Sequence, residues 1–223
     1  MISNSETLLY LERDESGLEW YERYGFKGWS LLKDFKNPNA PIIDLNMNVI
    51  YDFDVFAKYE KEDCRKTATD LKYFDFTIVN INIPGTSNKI ECNMINLKPE
   101  YQNQFSGKLT LPNRDNKGTL ITALGKITGQ ITHIFFLDEA PYQFIGTGEL
   151  NTGIYNQQKL KQIYFGNNIT ALKYISQWGL SQNSNLKDII NLPNSIQKIG
   201  PEGMQGNSEL KLSSLPESLD FIS

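Results

Sequence analysis

The residues that could do chemistry are few and scattered along the chain. Asp52 and Asp54 lie two positions apart in a segment with strand character, so their carboxylates would face the same way. A carboxylate pair roughly 5–9.5 Å apart performs glycoside hydrolysis, although a solvated strand face has the same appearance and is commoner. His133 lies in an apolar, strand-like run, which favours a structural role. Asp138 and Glu139 precede a proline and are typical of a polar loop.

Metal-ligating and thiol side chains are equally sparse. The single histidine excludes all-histidine metal sites, and two cysteines, Cys64 and Cys92, cannot build a four-cysteine zinc site or a disulfide framework. Cys64 stands among basic residues and is interpreted as a surface thiol, with a Cys64–Cys92 bridge as the alternative in an oxidising compartment. We therefore predict no catalytic residue, no metal site and no cofactor.

An aromatic cluster near the start of the chain is the strongest candidate for a contact surface. It consists of Trp20, Tyr21, Tyr24, Phe26 and Trp29. Such a cluster forms the core of a small element, a protein interface or a sugar-stacking platform. We take Trp20 and Trp29 as candidate interaction residues and leave the three readings open.

Composition limits the classes of function. The chain has 223 residues and a net charge of −4, which argues against sequence-independent nucleic-acid binding. Hydrophobic residues make up 39% of the chain and aromatic residues 12%, too many for extensive disorder. No apolar run approaches the roughly 18 residues of a membrane span, and the acidic start is unlike a secretory leader. We therefore expect no membrane insertion and a chain that is cytoplasmic, released with a virion, or a mature form whose leader is missing. The family resemblance given below implies a virion, cell-surface or extracellular location.

The elements that must position these residues fall into two regions. We predict a β-rich N-terminal domain over residues 1–115 and a repeat region over 116–223. The N-terminal pattern predicts short helices or turns in residues 1–36, a strand in 42–56, a charged loop or short helix in 58–70, and a hairpin from 73–83 and 90–97. The fold class is therefore mainly β, a β-rich domain followed by a short solenoid.

The second region repeats itself. Residues 172–186 align with residues 196–210 without a gap, and Gly179, Asn183, Ser184 and Leu186 are identical to their partners. A unit that short cannot bury its apolar face alone, so successive units must stack into a solenoid. Residues 160–165, 186–191 and 210–214 are then parallel neighbouring strands, with Leu160, Leu186 and Leu210 in one buried ladder.

The unit resembles the BspA-like leucine-rich repeat. The pattern Leu-Lys-x-Ile, then Leu-Pro-x-Ser-Ile-x-x-Ile-Gly, then x-Gly-Met-x-x-Asn-Ser is fullest from Leu186 to Ser208. Residues Leu160 to Ser184 and Leu210 to Ser223 carry it in part. The resemblance implies short strands with a brief helical segment per unit, a role in adhesion or protein interaction, and no shared catalytic residues. Similar repeats also occur in phage proteins.

Two hypotheses about function follow. The first is a non-enzymatic binding or structural protein with protein partners in a larger assembly, either a phage virion component (fibre or accessory protein) or a bacterial surface adhesin. The second is a carbohydrate-binding module or glycan-active enzyme that uses the aromatic cluster with Asp52 and Asp54. The last repeat shows no polar cap after Leu219, Phe221 and Ile222, which predicts that these residues contact another chain or the N-terminal domain.

Overall fold

The fold is almost entirely β. The structure is a computed structural model that describes residues 18–30, 56–102, 105–212 and 214–222. Its strands are β1 (Glu22–Ser30), β2 (Phe56–Asp63), β3 (Phe74–Asn82), β4 (Lys89–Leu97), β5 (Ser106–Leu111), β6 (Ala123–Leu124), β7 (Lys126–Ile127), β8 (Gln130–Phe136), β9 (Phe144–Ile145), β10 (Gly153–Ile154), β11 (Gln162–Phe165), β12 (Tyr174–Ile175), β13 (Asp188–Ile190), β14 (Lys198–Ile199) and β15 (Phe221–Ile222). Helical structure in this part of the chain is limited to one 3₁₀ turn, Leu71–Tyr73. The predicted mainly β class is confirmed.

The chain divides into two compact units, and the smaller spans Asp14–Asp63. Its described part is an antiparallel ribbon of β1 and β2, paired from Glu22 opposite Asp63 to Ser30 opposite Phe56 with a register shift between Phe26 and Gly28. The sequence predicted short helices or turns for the first segment and a loop or short helix for the second. Strands form instead because residues 20–29 are rich in aromatic side chains, which favour strands over helices.

The ribbon is joined by ion pairs across its two strands. Glu62 accepts from Arg23 Nε at 3.0 Å and from Lys27 Nζ at 2.7 Å. Desolvation raises the pKa of Glu62, but the hydrogen bonds from Lys27 and Arg23 outweigh it and hold the pKa below its ordinary value. The charged residues that suggested a loop therefore belong to cross-strand pairs.

The larger unit is a β-solenoid of about four turns. One parallel sheet has the order β13-β11-β8-β5, and a second has the order β15-β14-β12-β9-β6-β4-β3, with β3 antiparallel to β4 at its edge. A third, small sheet pairs β7 with β10. From β5 to β14 each turn thus contributes one strand to each main sheet, whereas the last turn contributes only β15 to the second sheet.

The spacing of the repeat equals the sequence separation between paired residues of neighbouring strands. Tyr174 pairs with Lys198 at a separation of 24 residues. Lys198 pairs with Phe221 at a separation of 23, and Gln162 with Asp188 at 26. These are the separations at which the sequence repeats, so the predicted stacking of equivalent positions is confirmed.

The core consists of ladders of equivalent apolar residues. Leu160 and Leu186 are fully buried, and Leu210 is half-buried against the same core. Ile163 pairs with Ile189 in a second ladder. Residues 160–165 and 186–191 contain the paired strands β11 and β13.

The last of the three predicted strands differs. Residues 210–212 are not a strand, although Lys211 N–H donates to Lys187 O at 3.3 Å. The sequence gives a physical reason, because Ser213 and Ser214 stand where β13 has Ile189 and Ile190. Serine favours turns, whereas β-branched residues favour strands.

Strands on both sides of residue 115 share hydrogen bonds. β4 pairs with β6, and β5 pairs with β8. The division into domains 1–115 and 116–223 stays a prediction. The helical segment that the resemblance implies for each unit is not found among the described repeat residues, which form turns there.

Candidate functional site

A ladder of side-chain amides joins successive turns at one corner of the solenoid. Asn183 Nδ2 donates to Ile154 O at 2.8 Å, and Asn183 Oδ1 accepts from Gln157 N–H at 2.9 Å. One turn later, Asn207 Oδ1 accepts from Asn183 N–H at 3.0 Å and its Nδ2 donates to Leu180 O at 2.8 Å. The amides satisfy backbone groups that the turn leaves without partners, so the asparagines that the repeat conserves between units are structural.

A left-handed residue precedes each rung of this ladder. Asn156, Gln182 and Gly206 have φ of 55°, 60° and 75°. This conformation turns the chain so that the next amide enters the interior, and asparagine and glycine adopt it most easily. The corner is therefore fixed both by backbone geometry and by side-chain hydrogen bonds.

A second corner uses serine after proline. Ser195 Oγ donates to Leu172 O at 2.7 Å, and Ser218 Oγ donates to Ile196 O at 2.8 Å. The Leu-Pro-x-Ser segments turn the chain here, since Pro193 O and Pro216 O each accept from a backbone N–H three residues later.

The last turn leaves the apolar interior partly open. Leu180 and Leu186 are fully buried, whereas the equivalent Met204 and Leu210 are half-buried. Ile199, the equivalent of Ile175, stays buried at 5% exposure. We name this surface the end face and define it as Ile199, Met204, Leu210, Leu212 and Leu215, which line a cavity of about 680 Å³. Leu215 is 49% exposed.

The predicted contact residues of the last repeat adjoin this surface. Leu219 is half-buried and packs against the core. Phe221 and Ile222 form β15, which pairs with β14, and their side chains lie outside the described residues. Among the described strands, β15 has a hydrogen-bonded neighbour on one side only.

The aromatic candidates belong to the smaller unit. Trp20 is 38% exposed, and its ring meets Tyr21 edge-on at 5.4 Å. Trp29 lies in β1, and its side chain is outside the described part of the chain. The structure thus describes one of the two tryptophans predicted to interact, and it is partly accessible.

The candidate chemical residues do not converge. Asp52 and Asp54 lie outside the described residues. His133 is half-buried in β8, with Nδ1 3.0 Å from Thr132 Oγ1 and its ring stacked on Phe135. Asp138 Oδ1 accepts from Asn167 N–H at 2.7 Å and so links two turns. In the described ranges, no three His, Cys, Asp or Glu side chains are grouped for a metal.

The interpretation of Cys64 as a surface thiol is wrong. Cys64 and Cys92 are both buried, and neither is in a disulfide. Burial raises the pKa of the Cys92 thiol, which makes its reactive thiolate scarcer. Cys64 lies where the chain packs on β5, since its carbonyl oxygen accepts from Thr110 Oγ1 at 2.8 Å. Charged neighbours in sequence do not reveal which face of an extended chain is covered.

Asp115 has a structural role that was not predicted from the sequence. Its Oδ1 accepts from Lys117 N–H and Thr119 N–H, each at 2.8 Å, and its Oδ2 accepts from Asn93 Nδ2 at 3.0 Å. Desolvation raises the pKa of Asp115, but these hydrogen bonds more than offset it and lower the pKa below its ordinary value. The signal was the Asp-Asn-Lys-Gly segment, a turn sequence in which aspartate bonds to its own loop.

The chain was compared with models of protein families, with curated proteins and with solved structures, and none of them matches.

Within the described residues no helix has the length and apolar character needed to cross a membrane.

Proposed function

We propose that this protein is a non-enzymatic structural and binding module that assembles through the end face of its β-solenoid. The observation that carries the proposal is the opening of the core in the last turn. Met204 and Leu210 are half-buried, although the equivalent residues of the preceding turn are fully buried. Leu215, which follows them in the chain, is 49% exposed. Apolar area of this kind is covered in repeat proteins by a cap or a neighbour.

The partner that we propose for the end face is a second copy of this chain. Two identical apolar end faces are complementary to each other across a two-fold axis. The edge of β15 adds backbone donors and acceptors that pair with the same strand of the other copy. The repeat resemblance supports the same class, a BspA-like leucine-rich-repeat protein in a virion or on a cell surface.

The experiment is sedimentation velocity over a range of micromolar concentrations. We expect the unaltered protein to self-associate. The single variants Met204→Glu and Leu215→Lys should each sediment as a monomer, because each places a charge in the contact. The matched control is Ile78→Lys, which changes a residue that is 60% exposed on β3. A monomeric unaltered protein, or equal association of all variants, would overturn the proposal.

A further inference from the structure

The first turn of the solenoid is covered by a segment that runs across its end. Residues 64–74 begin beside β5, at the edge of the first sheet, and lead into β3, at the edge of the second. Cys64 is fully buried and Phe74 is 2% exposed. We name residues 64–74 the cap.

The cap satisfies the outer edge of β5. Thr69 N–H donates to Thr110 O at 3.0 Å, and Thr110 N–H donates to Thr69 Oγ1 at 3.0 Å. The Thr110 hydroxyl donates to Cys64 O at 2.8 Å. Since β8 occupies the other side of β5, these bonds engage the backbone groups of Thr110 that would otherwise offer a pairing edge to another chain.

The cap also closes the apolar interior at this end. The ring of Tyr73 meets Tyr101 edge-on at 4.9 Å and Phe105 at 5.7 Å. Phe105 is 4% exposed, and Leu97, which pairs with Phe74, is fully buried. β3 is itself an edge strand among those described, but the core beneath it is covered.

The two ends of the solenoid therefore differ. The first turn has the closed core that a capping unit gives a repeat array, whereas Met204 and Leu210 of the last turn are half-buried and Leu215 is 49% exposed. Head-to-tail growth requires two different ends that are complementary to each other. An end face set against the cap would cover apolar area on one side of the contact only.

From this asymmetry we infer that assembly through the end face stops at two copies, because the cap closes the surface on which a further copy would stack head to tail. The inference rests on the proposed function and adds to it the symmetry and the limit of the assembly. Both copies use the same face, which is the isologous contact of a two-fold dimer.

The limit is measured by light scattering after size exclusion over a range of micromolar concentrations. The mass should rise to twice that of one chain and no further. A mass that exceeds this value and grows with concentration overturns the inference and leaves self-association standing. A monomer at every concentration contradicts the proposed function, and the dimer with it.

The symmetry is tested by mixing a labelled Met204→Glu variant with the unaltered protein. In a two-fold dimer both copies need an intact end face, so the variant should bind the unaltered protein at least about tenfold more weakly than the unaltered protein binds itself. In a head-to-tail contact the variant would still present its cap to the end face of the unaltered protein, and binding would be retained. Retained binding overturns the inference.

Two further variants serve as controls. Lys66→Glu reverses an exposed charge on the cap and should leave the dimer Kd within about twofold, because the cap is not in the contact. A loss of association with Lys66→Glu would place the cap in the contact and overturn the inference. Leu215→Lys, at a position 49% exposed, repeats the mixing test with a change that leaves the buried core intact.

Discussion

At the scale of single residues, the protein uses polar side chains to hold its backbone. Asp115 is the clearest case, because its two carboxylate oxygens close the 115–119 turn and link it to Asn93 on β4. An ionised carboxylate accepts these bonds better than a protonated one, which is why the pKa of Asp115 lies below its ordinary value. The protonation state of this residue is therefore coupled to folding.

The coupling predicts an acid-dependent loss of stability. A carboxyl with a lowered pKa in the folded state contributes its stability above the unfolded pKa of about 3.9, and this contribution is lost as the pH falls through the folded pKa. Denaturant melts of the unaltered protein and Asp115→Asn from pH 7 to pH 2 measure it. We expect the variant to be less stable at pH 7 and the difference to shrink below about pH 4. A constant difference over this range would contradict the prediction.

Residue-scale roles were the hardest to predict from the sequence. Cys64 was misplaced because its burial comes from a contact with a strand more than forty residues away, through Thr110. The turn that Asp115 closes has a local sequence signal, whereas its third bond reaches Asn93 on β4, which no local pattern indicates. Short-range sequence signals report turns and charge, whereas burial is decided by which distant strand comes alongside.

At the scale of elements, one asparagine ties three turns together. Asn183 contacts the previous turn through Ile154 O and Gln157 N–H, and the next turn through Asn207 Oδ1. Asn183→Ala removes the two side-chain bonds and leaves a buried N–H and C=O unsatisfied, at about 1–3 kcal/mol each. We expect a loss of about 2–4 kcal/mol in the free energy of unfolding. Asn194→Ala, at an exposed position, serves as the control with under about 0.5 kcal/mol.

The leucine ladder makes a second prediction at this scale. Leu186 is fully buried and its neighbour Lys187 is exposed. Leu186→Ala should therefore cost about 2–5 kcal/mol, as truncation of a buried aliphatic residue does. Lys187→Ala should cost less than about 0.5 kcal/mol. Thermal and urea melts of both variants decide, and equal losses would argue against an inward ladder.

The repeat region was predictable because the spacing of its repeats in the sequence equals the separation of the strands that pair. Separations of 23, 24 and 26 residues in sequence became the strand pairings of β11 to β15. The repeat is harder to detect in the sequence of the earlier turns because loops lengthen them. For example, β9 pairs with β12 at a separation of 30 residues. The strand character of β1 and β2 was missed since glycines and charges in these segments suggested breaks. Pairing between them supplies the partners that their sequences do not show.

At the scale of the whole solenoid, stability should vary along the chain. In a stacked array each turn contacts only its neighbours, so stability is approximately a sum of turns and their interfaces. Interior turns have two interfaces. The last described turn has one, and its core slots at Met204 and Leu210 are half open.

Hydrogen exchange tests this gradient with equivalent amides. Gly146 N–H donates to Leu124 O, Ser176 N–H to Ile145 O and Gly200 N–H to Ile175 O, so these three amides occupy one slot in successive turns. Protection should fall in that order, with at least a tenfold difference from Gly146 to Gly200, which corresponds to about 1.4 kcal/mol. Deletion of residues 215–223 should speed exchange at Gly200 and leave Gly146 within about twofold. Equal protection at all three amides would mean that the solenoid opens as one unit. If the end face is covered by a second copy, protection at Gly200 must also rise with protein concentration while that at Gly146 does not, because Gly200 lines the end-face cavity and Gly146 does not.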